Sequence, residues 1–281
     1  MRGWWREISG LVLPAACEGC GRPRTVLCPD CGAALLGWDA GTGGPTGAVA
    51  VAGPCRVRPS PEPPGLPEVH AAAPYAGPVR ALLLAHKERG ALGLAAPLGA
   101  ALAAAVEAAA GPLEDVRPAP LLLVPVPSSR RSVRARGHDP TLRIARAAAA
   151  RLRCTGRPAR VVPVLRQRRR VADQAGLGAR GRRANLSGAL EVVPGGGRLL
   201  AAGLVVLVDD LMTTGASLAE AARALGEIHS PFIPSSPEGL PAVSGQGGIE
   251  QRVGAVIASS PASFEINRNS VGTRIVAGGE R

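Results

Sequence analysis

"LVVLVDDLMTTGAS", residues 204–217, is the stretch on which the fold turns. Five apolar residues, Leu204–Val208, run into two adjacent aspartates, and apolar spacing typical of a helix begins a few residues later. A short unbroken run of Val and Leu fits a strand covered on both faces, as in a parallel sheet, better than an alternating half-exposed strand. The expectation is a strand ending at Asp209-Asp210, a tight turn, and a helix reaching about Leu225.

In parallel sheets, ligands collect beyond the carboxyl ends of the strands. A turn that opens a helix there presents free backbone N–H groups and the positive end of a helix dipole, both suited to a phosphate monoester. Thr213, Thr214 and Ser217 add hydroxyl donors, Ala216 adds a backbone donor, and Gly215 lets the chain approach an anion without a Cβ in the way. Asp209 and Asp210 can accept hydrogen bonds from vicinal hydroxyls or help hold a hydrated Mg²⁺. Hydroxyl acceptors beside a phosphate cradle describe a site for ribose 5-phosphate. The same stretch also permits a plain capped strand–turn–helix. It is not a Walker B strand, because no G-x-x-x-x-G-K-[ST] loop accompanies it. "GLGARG", residues 176–181, matches G-x-G-x-x-G but lacks a preceding strand.

The rest of the chain alternates in the same way. Strand-like segments fall at 69–75, 121–127, 159–165, 189–193 and 252–259, and helical ones at 78–87, from Ala91 through an Ala-rich run, and at 141–152. Strands alternating with helices predict an α/β fold with a parallel sheet flanked by helices. Gln167–Asn185, polar and arginine-rich, is too long for an ordinary connection and is expected to be a functional loop.

Composition narrows the function classes. The chain has 281 residues, 46% apolar but only 2% aromatic, with a formal charge of +12 and a pI near 11.0. Nearly all the positive charge is arginine, with Lys87 the sole lysine. Such a charge favours phosphates, although a GC-rich genome would encode a similar excess of Arg, Ala, Gly and Pro. Scarce aromatics argue against a base-stacking platform, so any contact with single-stranded DNA should be to phosphates. No apolar run reaches the roughly 18 residues of a membrane span. The nearest, from Ala91, contains Pro97 and Glu107 and suits a buried helix. The N-terminus imitates a secretion signal, but Glu7, Ser9, Gly10 and Pro14 interrupt it, so a reducing cytoplasm is the expected compartment.

Cys17, Cys20, Cys28 and Cys31 form two C-x-x-C pairs. In a cytoplasmic protein this spacing suits a tetrahedral structural Zn²⁺ with four thiolates, with disulfides or redox chemistry as the alternatives. The segment is poor in apolar residues, so the metal would serve as its core. Cys55 and Cys154 are expected to be small hydrophobes.

Taken in order, the cysteine pairs, "YAGPVRALLLAHKERG", "VPVPSSRRSVRARGHD", "LRQRRRVADQAGLGARGRRANLSGAL" and "VVLVDDLMTTGAS" resemble the ComF family of competence-associated, amidophosphoribosyltransferase-like proteins. The last of these resembles the phosphoribosyl-pyrophosphate (PRPP) signature of type I phosphoribosyltransferases. The resemblance spans about Cys17 to Leu225 and implies a zinc-knuckle module at 1–38 and a type I phosphoribosyltransferase-like domain at 68–259 with an irregular insertion at 227–251. Composition marks a Gly/Pro-rich linker at 39–67 and a tail at 260–281. Asp209 and Asp210 would face the ribose hydroxyls as the catalytic pair, and Thr213–Ser217 would hold the 5′-phosphate. Ser128, Ser129 and Arg130 would bind pyrophosphate with Mg²⁺, helped by Arg134 and Arg136, and Gln167–Asn185 would close over the centre. Lys87 lies where PRPP enzymes often place a basic residue, and His138 is a candidate acid or base. The family's usual "RGFNQ" is replaced by "RGHDP". Two functions follow. One is a PRPP-dependent transferase with an unassigned acceptor; the other is a non-enzymatic DNA-uptake protein acting through helicase-type partners and its basic surface.

Overall fold

The computed structural model describes residues 16–37, 53–111, 119–169, 181, 185–227 and 253–264. The first part of the expected 1–38 module, most of the arginine-rich loop, nearly all of the insertion, the first part of the linker and most of the tail lie outside these residues. A turn closed by the Gly21 N–H on the Cys17 carbonyl at 2.7 Å and a short helix α1 (Pro29–Leu35) make the cysteine knuckle. Strands β1 (Cys55–Val57) and β2 (Glu68–Pro74) follow, then helices α2 (Gly77–Glu88) and α3 (Ala95–Ala110). After β3 (Leu121–Pro125) come α4 (Arg130–Arg136) and α5 (Pro140–Cys154). Beyond them lie β4 (Ala159–Val161), β5 (Leu165–Gln167), β6 (Leu190–Val192), α6 (Gly196–Leu200), β7 (Leu204–Met212), α7 (Ala216–Gly226) and β8 (Val253–Ser259).

The main sheet has six strands in the order β1-β2-β8-β7-β3-β4. All neighbours are parallel except β1, which pairs antiparallel with β2 along the edge. The fold is therefore α/β with a mostly parallel, mixed sheet. The apolar run of β7 is central because both of its edges are used, against β3 from Val205↔Leu122 to Val208↔Pro125 and against β8 from Val206↔Val253 onward. Its side chains divide between two cores. Val206 and Val208 face α2, α3 and α5, while Val205 and Leu207 face α7 and the residues around β5 and β6.

Several expectations change in detail. The strand expected over 159–165 is two, since Pro163 has no N–H to give a ladder and ends β4. β5 then leaves the sheet and joins β6 in a separate antiparallel ribbon. Within the stretch expected to be a linker, residues 55–57 supply the edge strand, and at the start of the tail Phe264 and Ser263 are buried, with Ser263 accepting from the Arg58 N–H at 3.2 Å. Cys154, at the end of α5, is exposed rather than a core hydrophobe.

The Ala-rich segment Leu92–Ala110 is long and apolar enough to cross a membrane by length and composition. In this fold Leu98, Ala101, Leu102, Ala105 and Val106 are buried in the first core. A Cβ at Gly99 would collide with Ala147, so that glycine sets the close approach of α3 and α5. The knuckle joins the same core through Cys17, Cys28, Cys31 and Leu35. It is thus packed onto the α/β domain rather than built around a separate centre.

Candidate functional site

The course of the chain opens a crevice at the carboxyl ends of β3 and β7. From β3 the chain moves outward to β4 on one side; from β7 it moves to β8 on the other. The helices after these neighbouring strands lie on opposite faces: α5 contributes to the first core and α7 to the second. This is the topological switch point at which α/β sheets bind ligands. The turn at 126–129 and the turn at 213–215 form its two lips.

β7 runs on to Met212, so the acidic pair lies inside the strand rather than at its end. Strict alternation fails there. Beyond Asp210, Leu211 packs with the first core and Met212 with the second, the reverse of what a straight strand would give. The bend brings the carboxyl groups together. Asp209 Oδ1 accepts from the Asp210 N–H at 2.8 Å, and Asp210, with 6% of its side chain exposed, accepts from Lys87 Nζ at 2.7 and 3.1 Å. Lys87 reaches it from the last turn of α2, although no local sequence signal separates it from a surface lysine.

The charges are unequal. Burial pushes the Asp209 carboxyl well above the usual carboxylate range, and the negative Asp210 adds to the effect, with Lys87 opposing it. Burial also disfavours the Lys87 ammonium, but Asp210 and then Asp209 outweigh this and hold it above its ordinary value. The result is a cation clamped on one carboxylate beside a second that is reluctant to ionise.

The threonine turn follows directly. Gly215 has φ +73° and is the residue immediately before α7. A Cβ there would press on Leu66 at 3.0 Å and Pro59 at 3.3 Å, so the turn needs glycine for its backbone and for the segment laid against it. Thr213 is exposed, Thr214 and Ser217 are half-buried, and Ala216 is buried at the start of α7.

On the opposite lip, the serines expected to meet pyrophosphate also have structural tasks. Ser129 Oγ caps α4 by accepting from the Ser132 N–H at 3.0 Å. Ser128 Oγ donates to Asp139 Oδ1 at 3.2 Å, and Asp139 in turn caps α5 through Leu142. Arg130 and Arg134 are exposed, while Arg136 grips Glu88 through two hydrogen bonds at 2.9 and 3.1 Å. Arg136 therefore ties α4 to α2 next to Lys87.

His138 packs edge-to-face on His86 with centroids 5.6 Å apart. Each Nδ1 lies within bonding distance of a carbonyl, Arg136 O for His138 and Ala91 O for His86, so each Nδ1 carries the proton. Both Nε2 atoms are buried without a partner among the described residues. An atom sealed in this way does not exchange a proton with a ligand in the crevice, which weighs against His138 as the acid or base.

The second polar cluster is the knuckle. The sulfurs of Cys17, Cys20, Cys28 and Cys31 lie within 4.8 Å of one another, with Cys20 and Cys28 at 3.6 Å. Four sulfurs at about 2.3 Å from a tetrahedral zinc stand roughly 3.8 Å apart, so the set can hold such an ion. The local fold supplies thiolate-stabilising donors: the Cys28 N–H points to Cys17 Sγ at 3.3 Å and the Cys31 N–H to Cys28 Sγ at 3.5 Å. Burial pushes the Cys17 thiol up, but the N–H groups of Cys28, Cys20 and Gly19 outweigh it and bring it to about 6. Cys31, buried among the other sulfurs, is pushed the other way. A bound cation would remove that conflict by deprotonating all four. Gly19 is pinned between Cys31 and Pro78, and Glu18 pairs with Arg89 at 2.9 Å, so the knuckle grips both ends of α2.

One buried charged residue had no signal in the sequence. Glu220, inside the apolar pattern of α7, accepts from the Leu190 N–H at 3.0 Å and pairs with Arg223 at 2.8 Å. The chain matches no protein-family model and no curated protein sequence.

Proposed function

We propose that this protein is a ComF-like, type I phosphoribosyltransferase-like protein that binds PRPP with Mg²⁺ at the β3/β7 crevice. The observation that carries the reading is the bent end of β7, where Asp209 and Asp210 sit one turn before the glycine that opens α7. Backbone donors of Thr213–Ser217 hold the 5′-phosphate, and the carboxylates accept from the ribose hydroxyls. Ser128, Ser129 and Arg130, with Arg134 nearby, face the pyrophosphate. Asp209 and Asp210 would help hold a hydrated Mg²⁺, which would supply charge stabilisation for the departing pyrophosphate. In transfer, an acceptor nucleophile forms a bond to C1 as the C1–O bond to pyrophosphate breaks, and pyrophosphate leaves with the electron pair. The thiol cluster suits a reducing cytoplasm.

Titration calorimetry with PRPP and Mg²⁺ tests the site. Wild-type protein should bind, and Asp209→Asn with Asp210→Asn should lose most of the affinity while keeping its circular dichroism spectrum. Unchanged binding by the double variant would refute the assignment.

A second reading is favoured by α4, which has no buried residue and shows Arg130, Arg131 and Arg134 to solvent. It is a non-enzymatic DNA-uptake protein that contacts single-stranded DNA phosphates and helicase-type partners. Its mark would be DNA affinity falling steeply with salt, unaffected by PRPP.

A further inference from the structure

The ribbon β5–β6 has no ladder to the main sheet. Its apolar residues Leu165, Leu190 and Val192 rest on the second core, yet apolar contact alone leaves a two-stranded ribbon free to slide. One polar joint fixes it. Glu220, with 5% of its side chain exposed, takes the Leu190 N–H on Oε1, and Arg223 Nη2 donates to the Leu190 carbonyl at 3.0 Å. The same guanidinium holds Glu220 through Nε and Nη2, both at 2.8 Å. Both backbone groups of a single ribbon residue are thus captured by one ion pair, whose carboxylate is buried and whose guanidinium is partly open to water. Leu190 stands opposite Gln167, the last residue of β5, so the joint lies at the end of the ladder from which the arginines continue.

Among the described residues, two arginines follow immediately. Arg169 closes the neck by donating to Asn185 O at 2.9 Å and Ser187 O at 2.7 Å. Arg168 is 70% exposed and lies 3.9 Å from Glu191, a weak tie for an exposed charge. Glu220 and Arg223 belong to α7, the helix opened by the Thr213–Gly215 turn. The joint therefore fixes an arginine-bearing ribbon to the helix whose first turn forms one lip of the crevice.

We infer that Glu220 and Arg223 are positioning residues that set Arg168 toward the diphosphate end of a ligand held at the β7–α7 turn. This inference rests on the phosphoribosyl reading. It requires the two ends of the ligand to respond differently. Ribose 5-phosphate engages only the turn and the carboxylates, whereas PRPP also needs the ribbon's cation.

The test compares PRPP with ribose 5-phosphate, each with Mg²⁺, on the full chain by calorimetry, with hydrogen exchange at the Leu190 amide as an independent readout. Glu220→Gln keeps an acceptor for Leu190 but weakens the ion pair. Arg223→Lys keeps the charge but cannot serve Glu220 and the Leu190 carbonyl together. Both variants should speed exchange at Leu190 and weaken PRPP by about tenfold, with ribose 5-phosphate changed less than about twofold. Arg168→Gln should reproduce the PRPP loss without affecting Leu190 exchange. Parallel losses for both ligands, or no loss for either, would overturn the positioning role while leaving the site intact. Wild-type protein that binds neither ligand would overturn the phosphoribosyl reading and this role with it. If a variant fails to fold, Arg168→Gln, an exposed change, decides the matter alone: equal PRPP affinity to wild type overturns the role.

Discussion

The cysteine knuckle and the acidic bend of β7 both crowd ionisable groups, and both touch α2, but they resolve the crowding differently. In the knuckle, four sulfurs converge on one point, and backbone N–H groups point at two of them, lowering the Cys17 thiol. A single divalent ion could satisfy the whole set. At the bend, two carboxylates share one lysine, and Asp209 remains raised by burial and by its neighbour. The first cluster is a stabilising device; the second keeps an unrelieved charge at the crevice, as expected of groups held for a ligand rather than for the fold. Helix α2 connects them, with Pro78 against Gly19, Arg89 on Glu18 and Lys87 on Asp210.

The sharpest way to break this contrast is to remove the metal. Protein purified without added metal should carry about one zinc per chain. Chelation should lower the stability of the whole α/β domain by about 5 kcal/mol or more, because the cysteines and Leu35 share the core of α2 and α3. Elemental analysis and thermal unfolding with and without chelator measure both. A reduced, metal-free protein with an unchanged midpoint would show that the knuckle stands without an ion.

A smaller effect is expected at the link between the clusters. Lys87→Met leaves Asp210 buried beside Asp209 without a countercharge and should cost about 2 kcal/mol, since the lysine end of the pair is partly open to water. Adding Asp210→Asn should restore most of that loss, and the double-mutant cycle isolates the pair. The folded-state pKa of Lys87 is raised, so the pair's contribution is fully present below the lysine's unfolded value of about 10.5 and fades only as the pH climbs through the folded value. With Asp209→Asn placed in both proteins so that the Asp209 titration drops out, the difference made by Lys87→Met should therefore stay flat across neutral pH. A difference that varied strongly between pH 6 and 8 would point to another partner.

Much of this architecture is legible in the sequence, because its strongest signals are local. The run Leu204–Val208 gives a doubly covered strand, and C-x-x-C spacing brings sulfurs together wherever the knuckle docks, whereas the break at Pro163 emerges only in the structure. What escapes a linear reading depends on distant chain segments meeting. Lys87 and Asp210 are 123 residues apart, and no periodicity marks that lysine as the partner of a buried carboxylate. Glu220 falls within an apolar stripe where a charge looks like an error until Arg223 and Leu190 surround it. Composition alone also misjudges 55–66, whose prolines and glycines suggest a linker although the chain there forms an edge strand and covers Gly215 with Leu66 and Pro59. The proposed phosphoribosyl site rests on the pattern in β7 and its turn, not on any matching relative.

The smallest effect concerns the charge left unrelieved. Asp209 is raised in the folded protein, so between its unfolded value near 3.8 and its folded value the native state binds more protons than the unfolded state. Stability from this group therefore declines as the pH rises through that window, and an ionised Asp209 is a burden at neutral pH. Asp209→Asn removes the like-charge repulsion while its amide oxygen can still accept from the Asp210 N–H. The variant should be more stable than wild type by about 1 kcal/mol at pH 8, with the advantage shrinking as the pH falls toward 4. Denaturant unfolding at pH 4, 6 and 8 measures this difference. A variant equally or less stable at pH 8 would mean that Asp209 is already at ease in the folded protein, and the contrast between the two clusters would disappear. A more stable variant that no longer binds PRPP would identify Asp209 as a residue kept for its ligand at the expense of the fold.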